Sequence, residues 1–216
     1  MPKKLIQWLG LTGILSLLSY TAAVLFAPFF YPGYDWMAQA VSDLSAETAP
    51  SRMAWEQLAT LYNTCSVVCT TCVSVYISEH RISTKLFRVG VYLFTLMNWI
   101  SRVGYGMFPL SDSGNEINTF QEKMHMIVTA AVVLLSIGSL VILIIAGCLK
   151  NGIRSIGILA GIALVMMFTG AIGPGIVPKH YFGIMERFSV FSAVGFNAVL
   201  GIYLFLGFRN SKSEKE

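Results

Sequence analysis

Charged side chains are scarce in this sequence of 216 residues. Asp, Glu, Lys and Arg together make up 12% of it, which is about half the share found in an ordinary soluble domain. Hydrophobic residues make up 55%, and the mean hydropathy is +0.67. This composition excludes a domain that folds mainly in water. It predicts a protein whose surface is largely in contact with lipid.

Other functions would need cysteines or basic residues in patterns that are missing. The four cysteines fall within apolar runs or at their edges, which excludes an extracellular disulfide framework and predicts free thiols. The fifteen Lys and Arg residues are scattered in short clusters between apolar runs. We therefore expect no nucleic acid partner. Nothing in the sequence predicts a cofactor.

Long apolar runs account for most of the chain. About 20 apolar residues are needed to cross the roughly 30 Å of hydrocarbon in a bilayer, because a helix rises 1.5 Å per residue. The stretches that meet this length are Leu5–Phe30, Trp55–Ser78, Leu86–Met107, Gln121–Cys148, Ile153–Pro174 and Gly183–Phe208. We therefore predict an all-α fold, a polytopic transmembrane bundle of six helices that forms a single domain over residues 1–216.

The positive charges predict the orientation of this bundle. Ten of the fifteen Lys and Arg residues fall on the side of the two termini and five on the other, and cytoplasmic loops carry the excess of positive charge. We predict a multi-pass protein of the cell membrane with both termini in the cytoplasm. The long connections, Tyr31–Ala54, Phe108–Phe120 and Gly175–Phe182, are then outside. We expect any functional site on this outer side, since binding residues concentrate on loops.

Ionisable residues are concentrated at the outer ends of the predicted helices. Arg102 lies near the end of the third span, Glu122 and His125 begin the fourth, and Glu186 and Arg187 begin the sixth. A charge costs about 2.5–3.5 kcal/mol at the bilayer centre, and less near the interface, unless it faces the bundle interior and pairs. We expect the five side chains to converge, with an Arg paired to a Glu of another helix and His125 beside them. Whether they form a functional site or only structural ion pairs stays open.

Two shorter patterns predict local structure. Trp36–Leu44 is too short and too polar to span a membrane, and it predicts a short amphipathic helix that lies in the interface as a lid over the bundle. Gly157 and Gly161 form a G-x-x-x-G pattern, which predicts close packing of the fifth span against a neighbour.

Histidine is too rare for a zinc site built from three histidines. His80 is predicted to lie in the cytoplasm, whereas His125 and His180 are predicted to lie outside. The three histidines of one chain therefore cannot bind the same zinc ion. No metal is predicted. A mixed site in which Asp112 or Glu186 joins His125 and His180 stays open as an alternative.

Several short segments follow one another in a characteristic order. They are Tyr31-Pro32-Gly33-Tyr34-Asp35, Val41-Ser42-Asp43-Leu44-Ser45, Phe108-Pro109 followed by Asp112, a histidine in the fourth span, and Glu186-Arg187 at the sixth. In this order they resemble the domain-of-unknown-function 998 family of prokaryotic six-span membrane proteins. The resemblance covers nearly the whole chain and brings no assigned reaction. It implies one outer-facing constellation, made of Asp35, Asp43, Asp112, His125, Glu186 and Arg187.

Three functions are compatible with these features. The first is binding or moving a lipid, an amphiphile or a small anionic solute through an outward-facing polar cavity, with membrane lipid as the partner. Its ligand-binding residues would be Asp35, Asp43, Arg102, Asp112, Glu186 and Arg187. The second is a membrane-embedded hydrolase or transferase, with or without a metal, in which His125 acts as acid or base beside Glu122. The third is an accessory subunit whose charges form only structural pairs.

The predicted orientation can be checked with reporter fusions. A reporter fused after Glu216 is expected to stay in the cytoplasm, and one inserted between Asp112 and Asn118 is expected to be exported. The physical reason is the excess of positive charge on the side of the termini. Labelling with the opposite pattern would overturn the orientation.

Overall fold

A computed structural model describes residues 3–112, 119–149 and 151–208 of the chain, leaving aside the side chain of residue 151. Several residues used above to predict the orientation lie outside these ranges. They are Lys150, the reporter position at Asn118, and the tail from Arg209 to Glu216 with its cations and acids.

The described residues form helices and no strands, which confirms the all-α fold. The α-helices are α1 (Leu5–Trp8), α2 (Thr12–Phe26), α3 (Arg52–Leu58), α4 (Thr60–Glu79), α5 (Lys85–Met107), α6 (Phe120–Leu149), α7 (Arg154–Ile172) and α8 (Phe182–Phe205). Short 3-10 helices extend or join them at Leu9–Leu11, Ala27–Phe30, Ser42–Ser45, Asn151–Ile153, Gly173–Gly175 and Lys179–Tyr181.

Five helical segments are long and apolar enough to cross a membrane. They are Leu5–Phe30, Thr60–Glu79, Phe120–Leu149, Arg154–Gly175 and Lys179–Phe205. The remaining long helix, α5, has 23 residues and packs along α4 and α6. It is more polar than the others because Asn98, Ser101 and Arg102 fall within it. The chain is therefore an α-helical transmembrane bundle.

The predicted second span, Trp55–Ser78, is divided in the structure. Helix α3 ends at Leu58 and α4 begins at Thr60, and Ala59 between them has a φ of −87° and a ψ of 2°. These dihedral angles lie outside the α-helical region and interrupt the helix. Trp55 therefore belongs to the short helix α3 and not to the span itself.

The first and last spans pack with their backbones in contact. A Cβ atom added to Gly10 would overlap the carbonyl oxygen of Gly201, and one added to Gly201 would overlap that of Gly10. One turn further along α2, a Cβ on Gly13 would lie 2.9 Å from the Sγ of Cys69 in α4 and 3.0 Å from the carbonyl oxygen of Asn197 in α8. The absence of side chains at these glycines brings α2, α4 and α8 together.

Buried apolar residues form two clusters. The larger one runs through α4 to α8 and contains the fully buried Phe87, Phe94 and Leu200. The smaller one contains Tyr20, Val24, Val41 and Val194, and Trp55, Tyr62, Phe191 and other partly buried residues pack against it. Val41 belongs to the connection between α2 and α3, so this connection is part of the core.

Helix α7 packs on α6 through one of its two spaced glycines. A Cβ on Gly157 would lie 2.9 Å from the Cα of Gly147 in α6, whereas one on Gly161 would meet no atom of the described residues within 4 Å. The prediction of close packing is confirmed for Gly157 and wrong for Gly161. Because both glycines lie on α7, Gly161 serves as a control for substitutions at Gly157.

We expect Gly157→Ala to lower the unfolding temperature in detergent and Gly161→Ala to leave it unchanged or slightly higher. The first change forces two backbones apart, and overpacking of this kind costs about 1–3 kcal/mol. The second adds a methyl group in open space, where Ala favours a helix over Gly by about 1 kcal/mol. Equal losses for the two variants would contradict the packing of α6 on α7.

Candidate functional site

The three long connections meet at one end of the bundle, which we name the loop end. The first connection, residues 31–51, is named the first loop. The backbone N–H of Glu47 donates to the carbonyl oxygen of Leu110 over 2.9 Å, and the Thr48 hydroxyl donates to Asp112 Oδ1 over 2.7 Å. On its other side the first loop reaches the third connection, where Asp35 Oδ2 lies 3.6 Å from His180 Nδ1. The first loop therefore joins the other two connections.

The first loop does not contain the predicted amphipathic helix at Trp36–Leu44. This stretch consists of turns and the beginning of the 3-10 helix Ser42–Ser45. The reason is that two carboxylates bind backbone N–H groups of the loop itself. Asp35 Oδ1 accepts from Met37 N–H and Asp43 Oδ2 accepts from Ala40 N–H, both over 2.9 Å. Such local bonds compete with helix formation.

Arg187, in the second turn of α8, holds the first loop against that helix. Its Nη1 donates to the carbonyl oxygen of Gln39 over 3.1 Å and to that of Gly183 over 2.7 Å, and its Nη2 donates to the Tyr34 hydroxyl over 2.8 Å. The loop approaches so closely that a Cβ on Gly183 would overlap the carbonyl oxygen of Gln39. The expected lid thus exists as a packed loop.

The Tyr34 hydroxyl bridges Arg187 and the backbone of the first loop. Its hydroxyl accepts from Arg187 and donates to the carbonyl oxygen of Ala40 over 2.8 Å. Burial raises the pKa of Tyr34 to about 12, although the charge of Arg187 acts in the opposite direction. The hydroxyl therefore keeps its proton near neutral pH and can donate.

Glu186 also contacts the first loop. Its Oε2 accepts from the backbone N–H of Val41 over 3.1 Å. The hydroxyl of Tyr20, in α2, lies near enough to both Glu186 and Arg187 for their charges to act on it. The first two turns of α8, the first loop and α2 therefore form one polar group, which we name the α8 group. It contains Tyr20, Tyr34, Asp35, Asp43, Glu186 and Arg187.

A second polar group lies at the start of α6. Thr119 and Glu122 form a capping box, since the Thr119 N–H donates to Glu122 Oε2 over 3.0 Å and the Glu122 N–H donates to Thr119 Oγ1 over 3.2 Å. His125 Nδ1 lies 2.9 Å from the carbonyl oxygen of Phe108. Because a carbonyl only accepts, Nδ1 carries a proton. In the neutral imidazole Nε2 is then the acceptor.

Tyr105 lies between the two groups. Its ring centroid is 4.9 Å from that of His125, and its hydroxyl donates to Thr129 Oγ1 over 3.1 Å. The charge of Glu186 also acts on this hydroxyl. The two polar groups are therefore neighbours that share a buried tyrosine.

The expected pair of an Arg with a Glu of another helix is not formed by Arg187. The structure pairs Arg52 with Glu56 and His180 with Asp35. Arg187 binds a phenol and two carbonyl groups instead. The physical reason is that the first loop, through Gln39 and Tyr34, satisfies two donors of the guanidinium, and the carbonyl oxygen of Gly183 in α8 satisfies a third, so no carboxylate is needed.

The structure separates the predicted site residues into three places. Asp35, Asp43, Glu186 and Arg187 lie together in the α8 group. Glu122 and His125 lie at the start of α6, and Asp112, in the second connection, accepts from Thr48 of the first loop. Arg102 is exposed on α5, where its Nη1 lies beside Gly106. Its charge acts on Tyr62, whose ring lies 4.6 Å from that of Tyr20, and the expected convergence of all five ionisable residues stays a prediction for Arg102.

The described part of the chain has no group of three His, Cys, Asp or Glu residues that could hold a metal ion. His125 lies at the start of α6, while His180 is exposed beside Asp35 in the third connection. The mixed site of these two histidines is therefore not formed by the described residues.

Four residues of the site were not predicted from the sequence. Thr119 could have been found, because Thr-x-x-Glu before an apolar run is the pattern of a capping box. Tyr34 belongs to the segment Tyr31–Asp35, but no pattern indicates that it binds Arg187. Tyr20 and Tyr105 fall within apolar runs, where a tyrosine that faces a polar group looks the same as one that faces lipid.

These features define a class of protein, an α-helical membrane protein with a polar loop end. The family described as "Protein of unknown function (DUF998)" matches residues 14–203. The chain therefore belongs to the DUF998 family, and the suspected resemblance is confirmed. Neither a curated protein nor a solved structure matches the chain.

The role of Arg187 can be measured on the first loop. We expect Arg187→Gln to speed hydrogen exchange in residues 34–44 and to lower the free energy of unfolding by on the order of 2 kcal/mol, since hydrogen bonds from charged donors contribute about 1.5–3 kcal/mol each. Arg52→Gln is the control, because Arg52 forms an exposed pair with Glu56 and should change stability by less than about 0.5 kcal/mol. Unchanged exchange in Arg187→Gln would show that the loop docks without this residue.

Proposed function

We propose that the protein binds a membrane amphiphile through an anionic headgroup at the α8 group, without catalysing a reaction. The observation that carries this proposal is the set of hydrogen-bond partners of the Arg187 guanidinium. It is held in place by neutral acceptors, and it has no carboxylate partner within the part of the chain that the structure describes. A fixed cation of this kind is a receptor for phosphate or carboxylate.

Arg187 has donors left for such a ligand. A guanidinium carries five N–H groups, and three of them donate to Gln39, Gly183 and Tyr34. The Nε–H and one Nη2–H have no acceptor among the described residues. Two donors on one planar group match two oxygens of a phosphate or a carboxylate, and such bidentate pairs are the stronger hydrogen bonds.

Exposed aromatic residues near the same end favour an amphiphile over a soluble anion. Phe29 and Phe30, at the end of the first span, are 82% and 58% exposed, and Trp36 in the first loop is 54% exposed. Phe182 at the start of α8 is 38% exposed. Aromatic side chains concentrate at the level of lipid headgroups. A ligand whose headgroup contacts Arg187 would lay its apolar tail against them.

The proposal includes an arrangement in the membrane. Helix α5 crosses the bilayer as a sixth span, since 23 residues cover roughly 35 Å at 1.5 Å per residue. Both termini lie in the cytoplasm, and the loop end opens to the outside as a polar cavity. The excess of positive charge on the side of the termini supports this orientation.

A hydrolase or transferase is the second candidate, favoured by the geometry of His125. The carbonyl group of Phe108 binds Nδ1, which orients the ring and leaves Nε2 as the base in the neutral form. Glu122 has a structural role at this site, because it completes the capping box of α6. Turnover of a bound lipid that His125→Gln abolishes would favour this candidate.

The proposed binding can be tested on the purified protein in a nonionic detergent. We expect short-chain phosphatidylglycerol and phosphatidylethanolamine to raise the unfolding temperature, and an alkyl glucoside to have no such effect. Arg187→Gln should weaken the affinity for both phospholipids by about tenfold or more, which corresponds to the loss of about 1.4 kcal/mol or more. Arg52→Gln should bind as the unchanged protein does.

Two further measurements test the nature of the ligand and the role of the Arg187 charge. Inorganic phosphate at the same concentration distinguishes a lipid headgroup from a free anion, and equal protection by phosphate would overturn the amphiphile. Tyr34→Phe removes one contact between Arg187 and the first loop but keeps the cation. If this variant loses binding as fully as Arg187→Gln does, loop docking and not the charge determines affinity, and the proposal fails.

A further inference from the structure

We infer that the headgroup bound at the α8 group is zwitterionic, with its anionic group on Arg187 and the Tyr20 hydroxyl and its ammonium group on Glu186. This inference rests on the proposed function and names the class of ligand. It follows from three features of the site: the carboxylates of Glu186 and Asp43 near one guanidinium, the free oxygen of Glu186, and the unpaired hydroxyl of Tyr20.

The charges around Arg187 disfavour a ligand that is only anionic. Glu186 is the preceding residue, and Asp43 lies near enough to act electrostatically on both Glu186 and Tyr34. A phosphate on Arg187 would therefore meet repulsion from its surroundings. An ammonium group on the same headgroup would remove that repulsion.

Glu186 has an acceptor available for the ammonium group. Its Oε2 accepts from the Val41 N–H, whereas its Oε1 has no hydrogen bond with the residues that the structure describes. An ammonium group has three donors and no acceptor. It therefore pairs with a carboxylate oxygen, and the bond is strengthened by the two charges. Glu186 and Arg187 both face the first loop, so one headgroup can reach both.

Tyr20 is an independent sign of a ligand at this place. It is 4% exposed, and its hydroxyl forms no hydrogen bond within residues 3–112, 119–149 and 151–208. Trp55, Tyr62 and Phe191 hold its ring, with centroids 4.6–5.7 Å away. The hydroxyl oxygen is not one of the fully enclosed unpaired atoms of the described residues, which are Ser16 Oγ, Ser83 Oγ and Asn197 Oδ1, so it keeps accessible surface that a ligand can reach. A ligand oxygen bound at Arg187 would give this hydroxyl an acceptor.

The experiment compares headgroups that share a phosphate and differ in the ammonium group. In detergent, the unchanged protein is expected to bind short-chain phosphatidylethanolamine about tenfold more tightly than phosphatidylglycerol. Glu186→Gln should abolish this preference while phosphatidylglycerol still binds, because the amide can accept from Val41 but has no charge. Glu56→Gln, an exposed carboxylate on α3, is the matched control and should keep the preference.

Tyr20→Phe tests the second contact. Because the hydroxyl has no partner in the protein, its removal should leave the unfolding temperature of the ligand-free protein unchanged and weaken the binding of both lipids by about tenfold. A lower unfolding temperature without ligand, or unchanged affinity, would overturn the role of Tyr20.

The outcomes separate this inference from the proposed function. If phosphatidylglycerol binds as tightly as phosphatidylethanolamine, or if Glu186→Gln keeps the preference, the zwitterionic headgroup is wrong and the binding of an anionic amphiphile stands. If neither lipid binds, both the inference and the proposed function fail.

Discussion

The contact between the backbones of Gly10 and Gly201 is the constraint on which the arrangement of this protein depends. It allows the first and last spans to lie side by side, closer than any side chain would permit. Three turns further along α2, Tyr20 then faces Phe191 near the start of α8. The first loop, which follows the 3-10 helix Ala27–Phe30, then meets Glu186 and Arg187. The polar site is thus a consequence of packing between two helices at opposite ends of the sequence.

The loop end shows how a membrane protein accommodates charge through backbone dipoles. Asp35 and Asp43 bind N–H groups of their own loop, and this leaves loop carbonyl groups directed at Arg187. Each charge is therefore stabilised by backbone dipoles, which are fixed in place by Val41 in the smaller apolar cluster. Dipoles satisfy hydrogen bonds but do not cancel charge. The site consequently keeps a cation, Arg187, that a ligand can pair with.

Much of the fold could be predicted from the sequence, and less of the site. The length and hydropathy of the apolar runs located the helices to within a few residues, except where Ala59 interrupts the second span. The positions of Glu186 and Arg187 near a helix start were also correct. Their partners were not, because Gln39 and Gly183 take part through backbone carbonyl groups, which every residue possesses. A side-chain pattern does not reveal such contacts.

The sequence by itself determined that the chain is a bundle of apolar helices with its polar residues near their ends. Hydropathy is a local property, and each helix satisfies its backbone hydrogen bonds within its own segment, so neighbours along the chain suffice to specify it. Only the tertiary structure decided that Arg187 binds the first loop and that Tyr20 lies near Glu186 and Arg187. These contacts join residues more than a hundred positions apart, and they depend on which helix faces can approach closely. That choice is made by the packing of small residues such as Gly10, Gly157 and Gly201, and it is settled only when all helices are in place.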